Sequence, residues 1–189
     1  MKSGKPLEPL PRDSSRIVLR RLAGADLPAF QAYRRDAKVG LYQGWTAQND
    51  DGATAFIADM GTARLFTAGA WVQLGIADNT TNTLIGDIGI CLYADGQTAE
   101  IGFTLNPAAQ GRGLGTEAVR CAISLIFEHT TTQKIIAITD ARNTASMRLL
   151  ERVGMQKTET ANAVFRGEIC VEHTYVLGRN SGQIELVSI

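Results

Sequence analysis

Residues 99–116 read Ala99-Glu-Ile-Gly-Phe-Thr-Leu-Asn-Pro-Ala-Ala-Gln-Gly-Arg-Gly-Leu-Gly-Thr116, and this stretch decides the fold. It opens as a strand, because Ile101, Phe103 and Leu105 alternate with Glu100, Gly102 and Thr104, the period of two of a half-buried strand. Asn106-Pro107 ends it, since proline has no amide hydrogen to give a sheet ladder. Three glycines at every second position follow, Gly111, Gly113 and Gly115, and a helix starts at once. Amides unobstructed by side chains at a positive helix end form a site for phosphate groups. A turn alone would not need this many glycines.

The flanking segments fit a mixed sheet. Upstream, runs at 71–76, 84–93 and 98–105 are divided by Asp78-Asn-Thr-Thr-Asn82 and by Asp95-Gly96. Asp-Gly between apolar runs signals a hairpin, so these three strands form an antiparallel meander. Downstream, residues 117–130 carry Val119, Ala122, Ile123, Ile126 and Phe127 on one helical stripe. A short strand over 135–139, a helix over 144–153 behind Asn143 and before Gly154, and a strand over 171–177 complete that half. Near the start, 17–22 reads as a strand, and 25–36 and 53–60 as helices. The expected fold is α/β, with a mixed, mostly antiparallel central sheet flanked by helices.

Composition bounds the partners. The chain has 189 residues, 19 basic and 19 acidic side chains, and 44% hydrophobic residues. One domain over 16–178 is expected, with a loose arm over 1–15 holding Pro6, Pro9 and Pro11, and a tail over 179–189. The balanced charge removes the broad positive field of a nucleic-acid binder. Cys91, Cys121 and Cys170 are odd in number and far apart, which fits buried reduced thiols in the cytoplasm and neither a disulfide framework nor a metal site. No stretch has the roughly 18 apolar residues of a membrane helix, and the first residues read as no signal peptide.

The glycine segment lacks the lysine of a nucleoside-triphosphate loop, and its Gly-x-Gly-x-Gly spacing is not that of a dinucleotide fingerprint. Gln110-x-x-Gly113-x-Gly115, between a strand and a helix, resembles the signature of the GNAT superfamily of acyl-coenzyme A N-acyltransferases. The run Asn143-Thr-Ala-Ser146-Met-Arg-Leu149-Leu150-Glu-Arg-Val-Gly154 is similar to the family's second helix motif. Ala-Glu-Ile-Gly-Phe and the Tyr42–Trp45 segment resemble the branch that acetylates ribosomal-protein N-termini.

That resemblance implies acetyl-coenzyme A as cosubstrate, with no metal. Gln110, Gly111, Arg112, Gly113, Leu114, Gly115 and Thr116 would surround its diphosphate, amides near Thr104 and Leu105 its pantetheine, and Asn143 and Ser146 the opposite wall. Asn143 serves equally as a plain helix cap. Where many members place a tyrosine acid, this chain has Leu150, so Ser146 or a water it holds is the substitute. Glu100 is the candidate base through water, although it reads at least as well as a solvated strand carboxylate, and Asp87, which interrupts an apolar strand, is in reserve. Tyr33, Tyr42 and Trp45 read as acceptor groove, core or lid, His129 as a helix-end histidine, and His173 as a surface histidine or one facing the acceptor cleft; Arg142, Arg148 and Arg152 read as a rim for the adenosine phosphates or a solvated helix face, the latter favoured for Arg152.

The expected reaction is direct acetyl transfer to a primary amine, with no cysteine in these segments to carry a covalent intermediate. The preferred acceptor is a protein or peptide N-terminal α-amine. A small amine such as an aminoglycoside, polyamine or amino acid is the alternative, and a non-catalytic acyl-coenzyme A module is the third reading. No nucleic-acid or membrane partner is expected, and a homodimer stays open.

Overall fold

The computed structural model describes residues 9–179. The chain lays down β1 (Arg12–Asp13), β2 (Ile17–Arg21), α1 (Leu27–Arg34), α2 (Ala37–Gly40), α3 (Asp50–Thr62), β3 (Trp71–Asp78), β4 (Leu84–Leu92), β5 (Thr98–Leu105), α4 (Leu114–His129), β6 (Lys134–Asp140), α5 (Thr144–Arg152), β7 (Gln156–Phe165) and β8 (Glu168–Gly178). The strands form one eight-stranded sheet in the order β1-β2-β3-β4-β5-β6-β8-β7. Every neighbouring pair is antiparallel except β5 and β6.

Side-chain alternation assigns the two faces. Ile88 belongs to the core cluster built with Val119, Ile123 and Ile126 of α4. Asp87, its neighbour, turns the other way and meets Tyr33 and Arg34 of α1. A second cluster there joins Phe30, Tyr33, Ala53 and Ile57 beneath Leu22 and Leu84. Asp87 is 0% exposed, so its charge must be matched locally. Tyr33 donates to its Oδ2 over 2.5 Å, Arg34 over 2.9 Å, and Gln73 donates to its Oδ1 over 2.5 Å. Burial, and the charge of Asp87, push the Tyr33 hydroxyl well above its ordinary value. Removing one partner of such a buried pair costs about 3–5 kcal/mol.

The β4–β5 hairpin turns at Asp95-Gly96, with Gly96 at φ 64° and Asp95 accepting from the amides of Gln97 and Thr98. The segment expected as one helix over 25–36 divides. A 3-10 turn occupies Gly24–Asp26 before α1, and Asp36 caps α2 by accepting from the Lys38 amide. Two strands were not anticipated from the sequence. β1 falls within the expected arm, whose residues 1–8 lie outside the described residues, as do 180–189 of the tail. β7 is an exposed edge strand joined to β8 by Arg166-Gly167, both at positive φ.

One irregularity positions everything that follows. β5 pairs with β4 along its whole length, from Ala99 opposite Leu92 to Leu105 opposite Gly86. It pairs with β6 only at Thr98–Lys134, Ala99–Ile135 and Glu100–Ile136. Beyond Glu100 the two parallel strands part, while β6 stays paired with β8 as far as Asp140.

Candidate active site

The parting leaves a cavity of about 570 Å³, walled by the second halves of β5 and β6, the loop before α4, and the first two turns of α5. Its β5 wall is an open backbone edge. The Asn106 amide donates to Ile85 of β4, and a Cβ placed on Gly86 would lie 2.3 Å from the Thr104 carbonyl, so Thr104 and Asn106 turn their backbone towards β4. Ile101, Phe103 and Leu105 therefore present theirs to the gap. Side-chain amides already reach two of those carbonyls, Gln43 at Phe103 over 3.3 Å and Gln110 at Leu105 over 3.0 Å. Thr104 and Leu105 both line the gap; the backbone that faces it is that of Phe103 and Leu105, while the Thr104 backbone turns to β4. A Cβ on Gly102 would meet nothing within 4 Å, so this glycine relieves no crowding.

The glycine loop leads from this edge into α4. Gly111 and Gly113 stand at φ 70° and 79°, in the left-handed region that favours glycine. Gly113 caps α4 without any side-chain hydrogen bond. Glu117 is the first residue whose amide finds the helical acceptor, Gly113 O at 3.1 Å. The amides of Leu114, Gly115 and Thr116 thus lack one by geometry and sit at the positive end of a 16-residue helix. A Cβ on Gly115 would stand 2.8 Å from Leu105 Cδ1 and 2.9 Å from Leu149 Cδ1, so its hydrogen lets α4, α5 and β5 converge there. Arg16 fastens the loop from below, bonding Glu117 and the Arg112 carbonyl. Burial pushes the Glu117 carboxyl up, but bonds from the Arg16 amide and guanidinium outweigh it and hold the carboxyl below its ordinary value.

Asn143 caps α5, accepting from the Ser146 amide over 3.1 Å, and both residues line the cavity. Leu150 is 0% exposed and packed in the core, not in the cavity. Arg152 is exposed, as expected of a solvated face, and it also borders the cavity, reaching Thr116 Oγ1 over 3.4 Å.

Of the expected site residues, the structure gathers Thr104, Leu105, Gln110, Gly111, Gly113, Gly115, Thr116, Asn143 and Ser146 around one space. Arg112 and Leu114 are outside its lining, and Leu114 is buried in the core. Glu100 is outside as well, its Oε2 accepting from the Tyr93 hydroxyl over 2.6 Å. That bond is the largest influence pushing the Tyr93 hydroxyl up to about 12. Asp87 belongs to the buried network under α1, and His173 bonds Thr160. The charged residues that line the cavity are Lys38, Arg148 and Arg152, with no Asp or Glu among the described lining. Lys38, Val39 and Gln43 join Tyr42 on the α2 side; of these Tyr42 and Gln43 lie in the Tyr42–Trp45 segment that carried a resemblance, and Lys38 and Val39 had no sequence signal. Arg142 bonds Asp140 and stands 5.7 Å from the Tyr42 ring, and its hydrogen bonds are the main reason the Asp140 carboxyl lies below its ordinary value.

Residues 16–156 match the model of the acetyltransferase (GNAT) domain. The probable N-acetyltransferase YjcK of Bacillus subtilis is 38% identical over 87 residues, which are 45% of this chain and 48% of that protein, so this match spans about half of the relative's length. The uncharacterized N-acetyltransferase YoaA of the same organism is 29% identical over 147 residues, 77% of this chain and 82% of its own. Among solved structures, RimL, a ribosomal L7/L12 α-N-protein acetyltransferase in complex with coenzyme A, superposes with a TM-score of 0.77 at 15% identity, covering 91% of this chain and 99% of that one. With the family model covering most of its length, the chain belongs to the GNAT acetyltransferase family, a family of acyltransferase enzymes.

Proposed function

We propose that this protein transfers an acetyl group from acetyl-coenzyme A directly to the N-terminal α-amine of a protein or peptide. The observation that carries the reading is the open edge of β5 running straight into the uncapped start of α4. That edge offers a strand-like arm the backbone of Phe103 and Leu105, and the loop offers a diphosphate the amides of residues 111–116. Hydrogen bonds to a charged acceptor are worth about 1.5–3 kcal/mol each, and the helix end adds about 0.3–1 kcal/mol. The cosubstrate supplies an activated acyl group as a thioester. Thiols have a pKa near 8.5, so the leaving sulfur needs little help from a protein acid. Ser146 orients or hydrates that sulfur from the α5 wall.

The acceptor preference rests on proton chemistry. An α-amine has a pKa of about 7.7–8.0 and is substantially neutral near neutrality, whereas a lysine amine near 10.4 costs about 3.4 kcal/mol more to deprotonate. The described lining holds no carboxylate to take that proton, and its cations disfavour a polycationic amine. RimL, a fold neighbour, acts on a protein α-amine by its description, which supports the same class here.

Thiol release in the presence of acetyl-coenzyme A, followed across peptides, lysine-blocked peptides, aminoglycosides and polyamines, tests this directly. Peptides with a free α-amine are expected to turn over, with kcat/KM rising with pH to a plateau above about 8. Turnover of small polyamines alone overturns the acceptor assignment, and binding without turnover on any amine overturns catalysis. Ser146→Ala is expected to lower kcat about tenfold or more, leaving coenzyme A affinity within a factor of about two.

A further inference from the structure

β6 brings a buried hydroxyl to the gap. Thr139 lines the cavity and is 7% exposed. Among the described residues no hydrogen bond reaches its side-chain oxygen, and that oxygen is not sealed off, as Thr132 Oγ1 is. The hydroxyl therefore opens on the cavity. Thr116, another buried threonine of the lining, is reached by Arg152. Thr104 lies on the opposite face of the sheet, beside Asp87 and towards α1. Buried polar groups are nearly always satisfied, so a buried hydroxyl left free at a cavity is kept for a group that enters it.

Strand register gives its position. β5 and β6 pair at Thr98–Lys134, Ala99–Ile135 and Glu100–Ile136 before they part. The same register carried three residues on sets Thr139 across the gap from Phe103, whose backbone faces that gap. Ile135 and Ala137 join the core cluster that holds Leu150 of α5, and Thr139 follows them by alternation onto the α5 side. A tight turn then returns the chain to α5, with the Asn143 amide donating to Asp140 O over 2.9 Å. Ser146 follows in the first turn of that helix and lines the same cavity. Thr139 and Ser146 thus border one space from adjoining walls.

We propose that the Thr139 hydroxyl donates a hydrogen bond to the sulfur of acetyl-coenzyme A as the acetyl group leaves it, beside the contribution of Ser146. This rests on the cosubstrate reading given above, with the strand-like arm paired along the Phe103 edge. The amine nitrogen forms the new C–N bond while the C–S bond breaks, and the bonding pair departs with sulfur. The proton shed by nitrogen passes to solvent, and solvent returns one to the thiolate. Threonine keeps its own proton throughout, because an alcohol is a far weaker acid than a thiol. A donor fixed where charge develops acts on the transition state more than on the bound ground state. The free protein meanwhile carries a buried hydroxyl without a partner, a burden that valine would not impose.

Thr139→Val removes the hydroxyl and keeps the branched shape that suits a strand. Its thermal melt is expected at or above the parent value, since no bond within the protein is lost. The decisive readout needs no acceptor: coenzyme A is bound, and its thiol is titrated by thiolate absorbance against the protein alone. His173, opposite Thr139 on β8, is bonded to Thr160 and is common to parent and variant. Burial pushes the thiols of Cys91, Cys121 and Cys170 up, away from that of the bound thiol. A hydrogen bond to a thiolate lowers its pKa. The valine variant is therefore expected to raise the bound thiol by about one unit, and Thr139→Ser to restore it. Coenzyme A affinity by calorimetry should stay within about twofold, while kcat on a peptide acceptor falls about tenfold or more. An unmoved thiol pKa, a melt lowered by the valine, or a serine variant as impaired as the valine one overturns the assignment; Thr139→Ala provides the same titration should the valine variant not fold. No coenzyme A binding by the parent chain sinks the cosubstrate reading and this proposal with it. A shifted thiol with no peptide turnover sinks the acceptor reading alone and leaves Thr139 at the sulfur.

Discussion

α4 and α5 present their N-termini to the same cavity and begin in opposite ways. α5 is closed by Asn143, whose side chain takes the Ser146 amide. α4 starts at a left-handed glycine, with no side chain bonded to its first amides. Side-chain caps close α2 through Asp36 and α3 through Asn49, and α1 continues a 3-10 turn, so the sequence elsewhere satisfies its helix starts internally. A long helix whose first turn is left unsatisfied beside a cavity is one built to be capped from outside. The contrast separates binding from structure: changes at the start of α4 should strike affinity, and changes at the start of α5 should strike stability.

The sharpest way to break this contrast is Gly113→Val. Valine at φ 79° costs the fold on the order of 1–2 kcal/mol, yet it forces the loop out of the conformation that aims its amides. Losing two bonds to a charged acceptor corresponds to an affinity loss of about 100-fold or more. Calorimetry with coenzyme A and a thermal melt read the two effects separately. An affinity within a factor of about three of the parent would show that the loop does not hold the diphosphate.

The complementary change is at Asn143. Asn143→Ala is expected to cost about 1 kcal/mol of stability through the lost cap. Asn143→Asp keeps an accepting oxygen for the Ser146 amide, so the melt should stay at the parent value. If coenzyme A affinity falls with Asp as well, the Asn143 amide hydrogens contact the cosubstrate in addition to the cap, and the division between the two helices is less strict than the backbone suggests.

The start of α4 was legible because glycine carries its meaning locally. Asn106-Pro107, the glycine spacing and the stripe from Val119 to Phe127 are short-range signals, and they located β5, the loop and α4 together. Asn143 and Ser146 were legible for the same reason. β7 was not, because Gln156–Phe165 is solvated along nearly its whole length and so lacks an apolar alternation; only Arg166-Gly167 marks it as half a hairpin. The Asp87 network was beyond reach for another reason. Asp87 meets Tyr33 and Arg34 from 54 and 53 positions away, and composition records no pairing between an aspartate on β4 and a tyrosine on α1. Helical spacing placed Arg152 on an exposed face, but it does not say what lies beside that face, which here is the cavity.

A pH titration of stability sharpens the comparison further. The first turn of α4 carries Glu117, whose carboxyl is held below its ordinary value against the push of burial by bonds from Arg16; the first turn of α5 carries no acid. With the native value depressed, the unfolded state binds the proton more readily, so stability rises with pH across this titration. The contribution is present above the unfolded value near 4.3 and is lost as pH falls through the native one. Denaturant melts from neutral pH down to about 3 should show a steeper acid loss for the parent than for Glu117→Gln. Parallel slopes would show that the Arg16–Glu117 clasp does not anchor the loop.

The smallest effect is expected at Glu100. It lies on the same strand as the open edge, yet its carboxylate is occupied by the Tyr93 hydroxyl and does not line the cavity. A general base contributes about 10²–10⁴-fold to rate, and it must come within hydrogen-bond reach of the proton it takes, directly or through one water. Glu100→Gln retains an oxygen for Tyr93, so kcat on a peptide acceptor should change by less than about twofold. Tyr93→Phe in the same assay frees the carboxylate without removing it. If Glu100→Gln instead loses about 100-fold while Tyr93→Phe keeps full activity, the carboxylate reaches the amine through water, and proton removal becomes the work of β5 and not of the solvent.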